Sequence, residues 1–174
     1  FAIVDNRFWN KLEAGRLEQS ICVHAATWAN LHTYGRANAL DVALASKEAE
    51  VIVLWGVNLV STSVHSIPFI REAQERGAKI IAIDPRQTRT TWLADWHLQP
   101  RPGTDGALAA SVMHVLFRDG YADWAYLEKY TDAPREFERH LQTKTPAWAA
   151  AITGLAVVEI EDFAEHPVEP DARR

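Results

Sequence analysis

Three clusters of polar residues and glycine, each following a short apolar run, offer most of the chemistry in this 174-residue chain. The first is Trp55, Gly56, Val57, Asn58, Leu59, Ser61 and Thr62, after the aliphatic run at 51–54. The second is Asp84, Pro85, Arg86, Gln87 and Thr88, after the run at 79–83. The third is Gly103, Thr104 and Asp105, which follow the segment 96–99. Amide, hydroxyl and carboxylate groups of these types can read the hydroxyls and amides of a ligand. Arg86, Arg89 and Arg101 stand close by, and guanidinium forks suit phosphate oxygens. Together these residues describe a nucleotide-type pocket, with a purine, a ribose and a pyrophosphate to satisfy. Plainer roles stay open: Gly56 can serve only a tight turn, and Asn58 can serve only to cap a helix.

Positioning them requires a sheet. Val51 to Leu54 form an unbroken β-branched and aliphatic run, the pattern of a strand covered on both faces of a parallel sheet. A helix should follow, with Pro68 in its first turn, Ile67, Ile70 and Ala73 on one face, and Gly77 at its end. The run at 79–83 then completes a βαβ unit, whose strands are parallel and whose crossover is right-handed. A short third strand is expected at 96–99. In open α/β sheets, ligands bind outside the carboxyl ends of the strands, where all three clusters fall.

A helix follows the third cluster, capped by Thr104 or Asp105 and closed by Gly120, with a core face of Leu108, Val112, Val115 and Leu116. Its N-terminus adds backbone N–H donors to the edge. From there the chain reads as helical. Asp123 caps 124–130, a break falls at 132–134, Thr145-Pro146 starts another helix, and Thr153-Gly154 precedes a last one near 157–165. Upstream, residues 6–19 suggest a short helix or two interrupted by Gly15. Residues 37–46 suggest a helix with Leu40 and Leu44 one turn apart.

Composition narrows the function classes. The chain is 48% hydrophobic and 24% charged, enough to bury a core, and its net charge of -5 argues against nucleic acid as a partner. No apolar run approaches the ~20 residues of a membrane helix. A single cysteine, Cys22, excludes an internal disulfide framework. The absence of Gly-x-Gly-x-x-Gly and of a Walker loop argues against an ordinary dinucleotide dehydrogenase. The apolar start at Phe1 and the Pro-rich charged tail suggest an internal piece of something larger.

Read in order, Val-Leu-Trp-Gly-Val-Asn, Ile-Asp-Pro-Arg-Gln-Thr-Arg-Thr, Ala94-Asp95, Arg-Pro-Gly-Thr-Asp-Gly-Ala-Leu, Tyr130-Thr131 and Ile152-Thr153-Gly154 resemble the molybdopterin oxidoreductase (dimethyl-sulfoxide-reductase-type) family. The resemblance covers roughly residues 20–164 and is specific in combination, though each motif alone is weak. It implies an α/β fold with a Rossmann-like parallel sheet, flanking helices and a helical C-terminal part. The whole chain would then be part of one domain: a Rossmann-like core at about 36–120, a helical extension at about 121–165 and an irregular tail at 166–174. The resemblance also implies one side of a site for molybdopterin guanine dinucleotide with molybdenum or tungsten. The three clusters would line its path, and Asp84 or Asp105 would suit the guanine N1–H and amino group.

The resemblance gives Cys22 a role as well. In cysteine- or selenocysteine-ligated members the metal ligand lies thirteen residues before a glycine, the separation of Cys22 from Gly35. Cys22 is thus implied as catalytic metal ligand, against the alternative of a buried structural thiol. His24 lies two positions after it, whereas formate dehydrogenases of this family carry histidine immediately after, so the expected role of His24 is packing or support of the residues around the metal ligand. His65 could face the cofactor or start a helix, and structural roles are expected for His97 and His114. The family's cysteine-rich segment for a 4Fe-4S cluster would lie upstream of Phe1, and the domain embracing the second pterin is absent. The 174-residue piece alone is therefore expected to be inactive. Its expected partners are the remaining domains of a longer chain and electron-transfer subunits, in the cytoplasm unless an export signal lies upstream. The alternative is a molybdenum-free scaffold subunit of the complex-I type, which shares the fold.

Overall fold

The computed structural model describes residues 2–15, 21–35 and 41–165. Its contacts divide the chain into two units, Phe1–Leu40 and Asp41–Arg174. The first contains helices α1 (Ala2–Lys11) and α2 (Ile21–Tyr34). In α1, Phe8 and Trp9 meet edge to face at 5.1 Å. In α2, Trp28 stacks on His32 at 5.2 Å. Of the helical stretch expected at 6–19, residues 6–11 belong to α1, and 16–19 lie outside the described residues; α2 ends where Gly35 takes a left-handed φ of 72°. Ala25 and Ala26, the small residues after Cys22, lie within α2.

The second unit is built on a parallel sheet in the order β1-β2-β3, comprising β1 (Val51–Trp55), β2 (Lys79–Ile83) and β3 (Trp96–Leu98). Val51 pairs with Lys79 and Trp55 with Ile83, while Ile81 pairs with Trp96. The βαβ expectation holds in this register. Between β1 and β2 run α4 (Leu59–Thr62), a 3-10 turn at Val64–Ser66, and α5 (Ile67–Glu75), with Pro68 in the first turn of α5. The end of α5 is a full Schellman arrangement. Gly77, at φ 99°, donates to Gln74 O, and Ala78 donates to Ala73 O.

Side-chain alternation sorts the core into two layers. Ile81 and Ile83 of β2, with Leu98 of β3, pack on Leu108, Ala149, Ile160 and Phe163. On the other face Leu54 and Ile80 pack on Ile70 of α5. Burial on both faces is thus a property of the central strand β2. β1, at the sheet edge, also packs into both layers, Leu54 and Ile52 in one and Val51 and Trp55 in the other, though its Val53 is 36% exposed. Truncating a fully buried member such as Leu98 or Ile160 should cost about 2–5 kcal/mol.

Helix α3 (Val42–Glu48) starts at Asp41, whose carboxylate accepts the Leu44 N–H, and it packs on α5. The helix proposed for 37–46 is therefore shifted. Residues 36–40 lie outside the described residues, and Leu44 is exposed while Ser46 is buried. The Arg76 guanidinium ties the two helices by donating to the Ser46 carbonyl.

The C-terminal layer comprises α6 (Asp105–Arg118), α7 (Trp124–Tyr130), α8 (Pro134–Leu141), α9 (Pro146–Thr153) and α10 (Val157–Glu165). The caps at Asp123, Thr145, Gly120 and Gly154 follow the sequence signals. Asp123 accepts from Tyr126 N–H, Thr145 accepts from Trp148 N–H, and Gly120 and Gly154 take φ values of 80° and 78°. Arg118 at the end of α6 donates to both carboxylate oxygens of Asp119, at 2.7 and 2.8 Å, and to Glu161 of α10 at 3.3 Å. The hydrogen bond from Arg118 holds the Asp119 carboxyl below its ordinary pKa, against an opposing effect of burial, and the Arg118 pKa is raised in turn.

Candidate functional site

Because the strands are parallel, their carboxyl ends and the loops that follow share one edge. Loop 1 (residues 56–58) leaves β1 through Gly56, whose φ of 62° is costly for any residue with a Cβ. A Cβ there would meet nothing within 4 Å, so the glycine answers to backbone conformation and to open space beside the strand end. Gly103 in loop 3 has the same character, with φ 78° and open surroundings. Val57 is exposed and Asn58 half-buried.

Asn58 does not cap α4. It occupies the N-cap position with no side-chain bond to the helix. Its Oδ1 accepts instead from the Thr90 hydroxyl at 2.7 Å, and Thr90 Oγ1 accepts the Val60 N–H at 3.1 Å. Loop 2, which follows β2, is thereby tied to loop 1. Thr90 is fully buried and lies two residues beyond the stretch that sequence reasoning singled out. Its signal was present in the run Thr88-Arg89-Thr90-Thr91, but alternation of Thr and Arg does not say which hydroxyls turn inward. Thr91 is buried too, and its hydroxyl both accepts from Thr88 N–H and donates to Thr88 O.

Asp84 begins loop 2 in an Asx turn, its Oδ1 accepting the Arg86 N–H at 2.8 Å. Pro85, Arg86 and Gln87 are exposed and Thr88 is half-buried. His97 of β3 bonds through Nε2 to the Asp84 carbonyl, and His114 bonds through Nδ1 to Leu141 O. Both histidines therefore have the structural roles expected of them. His65 is exposed in the 3-10 turn, and His24 is exposed in the first unit.

Loop 3 departs from the sequence reading in its caps. Thr104 is the N-cap of α6 by position, yet its hydroxyl donates to Arg101 O at 2.6 Å rather than accepting from the helix. Asp105 does not cap either. Its Oδ1 accepts from Trp55 Nε1 at 2.8 Å, which fastens loop 3 to the end of β1. The Trp55 ring is set by Phe163, edge to face at 6.1 Å. Asp105 also lies in the first turn of α6, where the helix dipole favours a negative charge.

Arg101 is engaged away from a ligand. Its Nη1 donates to the carbonyls of Ala151 and Ile152 at the end of α9, at 3.3 and 3.4 Å. Arg86, Arg89 and Arg101 are all exposed, and of the three Arg101 has part of its guanidinium turned to α9. Asp95, quoted in the sequence only as part of a motif, accepts the Ile80 N–H through Oδ2, and its own N–H donates to Ile80 O. Trp55 to Asn58, Asp84 to Thr88 and Gly103 to Asp105 all follow strand ends. Leu59, Ser61 and Thr62 belong to α4, one turn further on.

Among the described residues no group of three or more His, Cys, Asp and Glu is arranged to hold a metal ion. Cys22 is in α2 by its backbone, and its side chain lies outside what the structure describes. A cavity of about 290 Å³ lies between α6 and α8, lined by His114, Phe117, Arg118, Glu138, Leu141 and Gln142, none of them a residue proposed for the edge.

With this geometry in place, comparison with known proteins is informative. The sequence profile of the molybdopterin oxidoreductase family matches residues 6–157. The chain is 34% identical over 162 residues to the "Probable oxidoreductase YoaE" of Bacillus subtilis (strain 168), covering 93% of this chain and 24% of that protein. It is 32% identical over 145 residues to the assimilatory nitrate reductase catalytic subunit of the same organism, covering 83% of this chain and 20% of that protein. Among solved structures, acetylene hydratase from Pelobacter acetylenicus superposes with a TM-score of 0.74 at 26% identity, over 83% of this chain and 20% of that one. The chain spans about a quarter or less of the length of these relatives.

Proposed function

The chain belongs to the molybdopterin oxidoreductase family, whose cofactor is a molybdopterin carrying molybdenum or tungsten, and from that premise we propose that its loop edge holds the dinucleotide end of the cofactor. In this reading the chain contributes one side of a molybdopterin guanine dinucleotide site to a larger oxidoreductase. The observation that carries the reading is that the end of β1 and its loop are joined to both other strand-end segments, by Asn58 to Thr90 and by Trp55 to Asp105. Three strand-end loops tied in this way present a prearranged surface, so less ordering entropy is lost on binding.

The residues present suit such a group. Gly56 and Gly103 leave open space where a side chain would stand, which allows close approach of an extended ligand. Asp84 and Asp105 are acceptor-only when ionised, matching the donor edge of guanine. Exposed Arg86 and Arg89 offer forks to phosphate oxygens, while the Arg101 Nη1 is turned to α9. Backbone N–H groups at the start of α6 add to the donor set. When bound, the cofactor supplies two-electron redox chemistry at its metal, and the protein supplies orientation and electrostatics. Cys22 is the residue proposed to ligate the metal, through a soft thiolate that tunes its electronics.

The test uses the full-length enzyme containing this segment. Purified protein should contain molybdenum or tungsten, together with GMP released on hydrolysis, and Asp105→Asn combined with Asp84→Asn should lower both contents together. Metal-free protein of normal fold would instead favour a scaffold of the complex-I type. Pterin without guanine nucleotide would overturn the dinucleotide assignment.

A further inference from the structure

Thr90 lies between loops 1 and 2 at 1% exposure. A hydroxyl has one hydrogen to give and lone pairs to accept. Thr90 gives its hydrogen to Asn58 Oδ1 at 2.7 Å, and the same oxygen accepts the Val60 N–H at 3.1 Å. That N–H belongs to the first turn of α4, where the Asn58 carbonyl takes the Ser61 and Thr62 N–H groups and the Asn58 side chain takes none. Thr90 therefore stands in as the cap, from thirty residues further along the chain. With both roles filled and no solvent access, its rotation is fixed.

The consequence falls on Asn58. Its carbonyl oxygen faces Thr90, so its amide nitrogen, with two N–H donors, is turned elsewhere. We infer that Thr90 is a positioning residue that holds the Asn58 side chain as a hydrogen-bond donor toward an acceptor oxygen of the bound nucleotide. This rests on the nucleotide reading of the edge for its ligand, and on the two hydrogen bonds of Thr90 for its geometry. Thr90→Val keeps the shape but neither donates nor accepts, leaving the Val60 N–H unpaired and the Asn58 amide free to flip. Thr90→Ser keeps the hydroxyl.

In the full-length enzyme containing this segment, freed of its cofactor, the experiment compares the unsubstituted chain with Thr90→Val, Thr90→Ser, Asn58→Ala and the Asn58→Ala/Thr90→Val double variant. The readouts are amide hydrogen exchange by NMR and GDP binding by calorimetry. In Thr90→Val the Val60 amide should exchange about tenfold faster, and GDP affinity should fall about tenfold, as for a buried hydrogen bond lost. Thr90→Ser should restore both. The double variant should bind GDP no more weakly than Asn58→Ala alone, because Thr90 acts through Asn58. Unchanged Val60 protection in folded Thr90→Val, or losses that add in the double variant, would overturn the inference. If the unsubstituted chain binds no GDP while Thr90→Val loses Val60 protection, the nucleotide reading fails and the hold of Thr90 on Asn58 stands. If GDP binds normally while Val60 protection is unchanged in Thr90→Val, the nucleotide reading stands and the hold of Thr90 on Asn58 fails. Should Thr90→Val not fold, Asn58→Asp keeps an acceptor for Thr90 but removes both donors. It should lose GDP affinity with Val60 protection intact, and retained affinity would overturn the donor role.

Discussion

Trp55 and Asp105 are fifty residues apart in sequence and are joined by a hydrogen bond of 2.8 Å from the indole Nε1 to a carboxylate oxygen. The bond connects the end of the edge strand β1 to the first turn of α6, so Trp55 orients an acid at the loop edge. Trp55→Phe should keep the ring contact with Phe163 and lose the bond. The expected cost in stability is about 0.5–1.5 kcal/mol, by denaturant titration. Nucleotide or cofactor content should fall more than stability does, and equal content at equal stability would argue against an orienting role.

Gly154 carries two constraints at once. Its φ is 78°, and a Cβ there would lie 3.1 Å from Arg101 Nε. Gly154→Ala should therefore destabilise the fold by about 1–2 kcal/mol from the left-handed conformation alone. Displacing Arg101 from the end of α9 should add to that. An unchanged melting temperature would show that the Arg101 side chain moves away without loss.

Acid should weaken the ion pair of Arg118 and Asp119 that closes α6. The Asp119 carboxyl is held below its ordinary value by the hydrogen bond from Arg118. A carboxyl depressed in the folded state stabilises the fold at pH above its unfolded pKa of about 3.9, and that contribution is lost as pH falls through the folded value. The stability difference between the unsubstituted chain and Asp119→Asn should be flat above about pH 5 and shrink below about pH 4. Urea midpoints across this range are the measurement, and a difference that grows on acidification would contradict a depressed Asp119 carboxyl.

Cys22→Ser separates a metal ligand from a structural thiol. In the full-length enzyme, a ligand role predicts near-normal folding and pterin content, with turnover reduced at least about tenfold by the harder oxygen ligand. A structural role predicts lower stability from burying an unpaired hydroxyl, with normal turnover per loaded molecule. Cofactor content, melting temperature and turnover on one preparation decide between them.

The sequence by itself determined the local elements of this protein and their order. The β-branched runs at 51–54 and 79–83, the Pro68 start and Gly77 stop of α5, and the caps at Asp123, Thr145 and Gly154 are set by backbone preference and by side chains reaching two or three residues. The motif order also carried the family, because residue types at fixed spacing survive without knowledge of their contacts. Tertiary structure alone decided which polar groups serve the fold and which are left for a ligand. Leu44 has the right spacing for a core position, yet α3 exposes it; Arg101 has the right chemistry for phosphate, yet it holds the end of α9. Asn58 and Asp105 look like caps and are instead bound by Thr90 and Trp55, thirty-two and fifty residues away. A hydrogen-bonding group has more potential partners than bonds to make. The selection among them is made by chain segments that only the folded sheet brings within three ångströms.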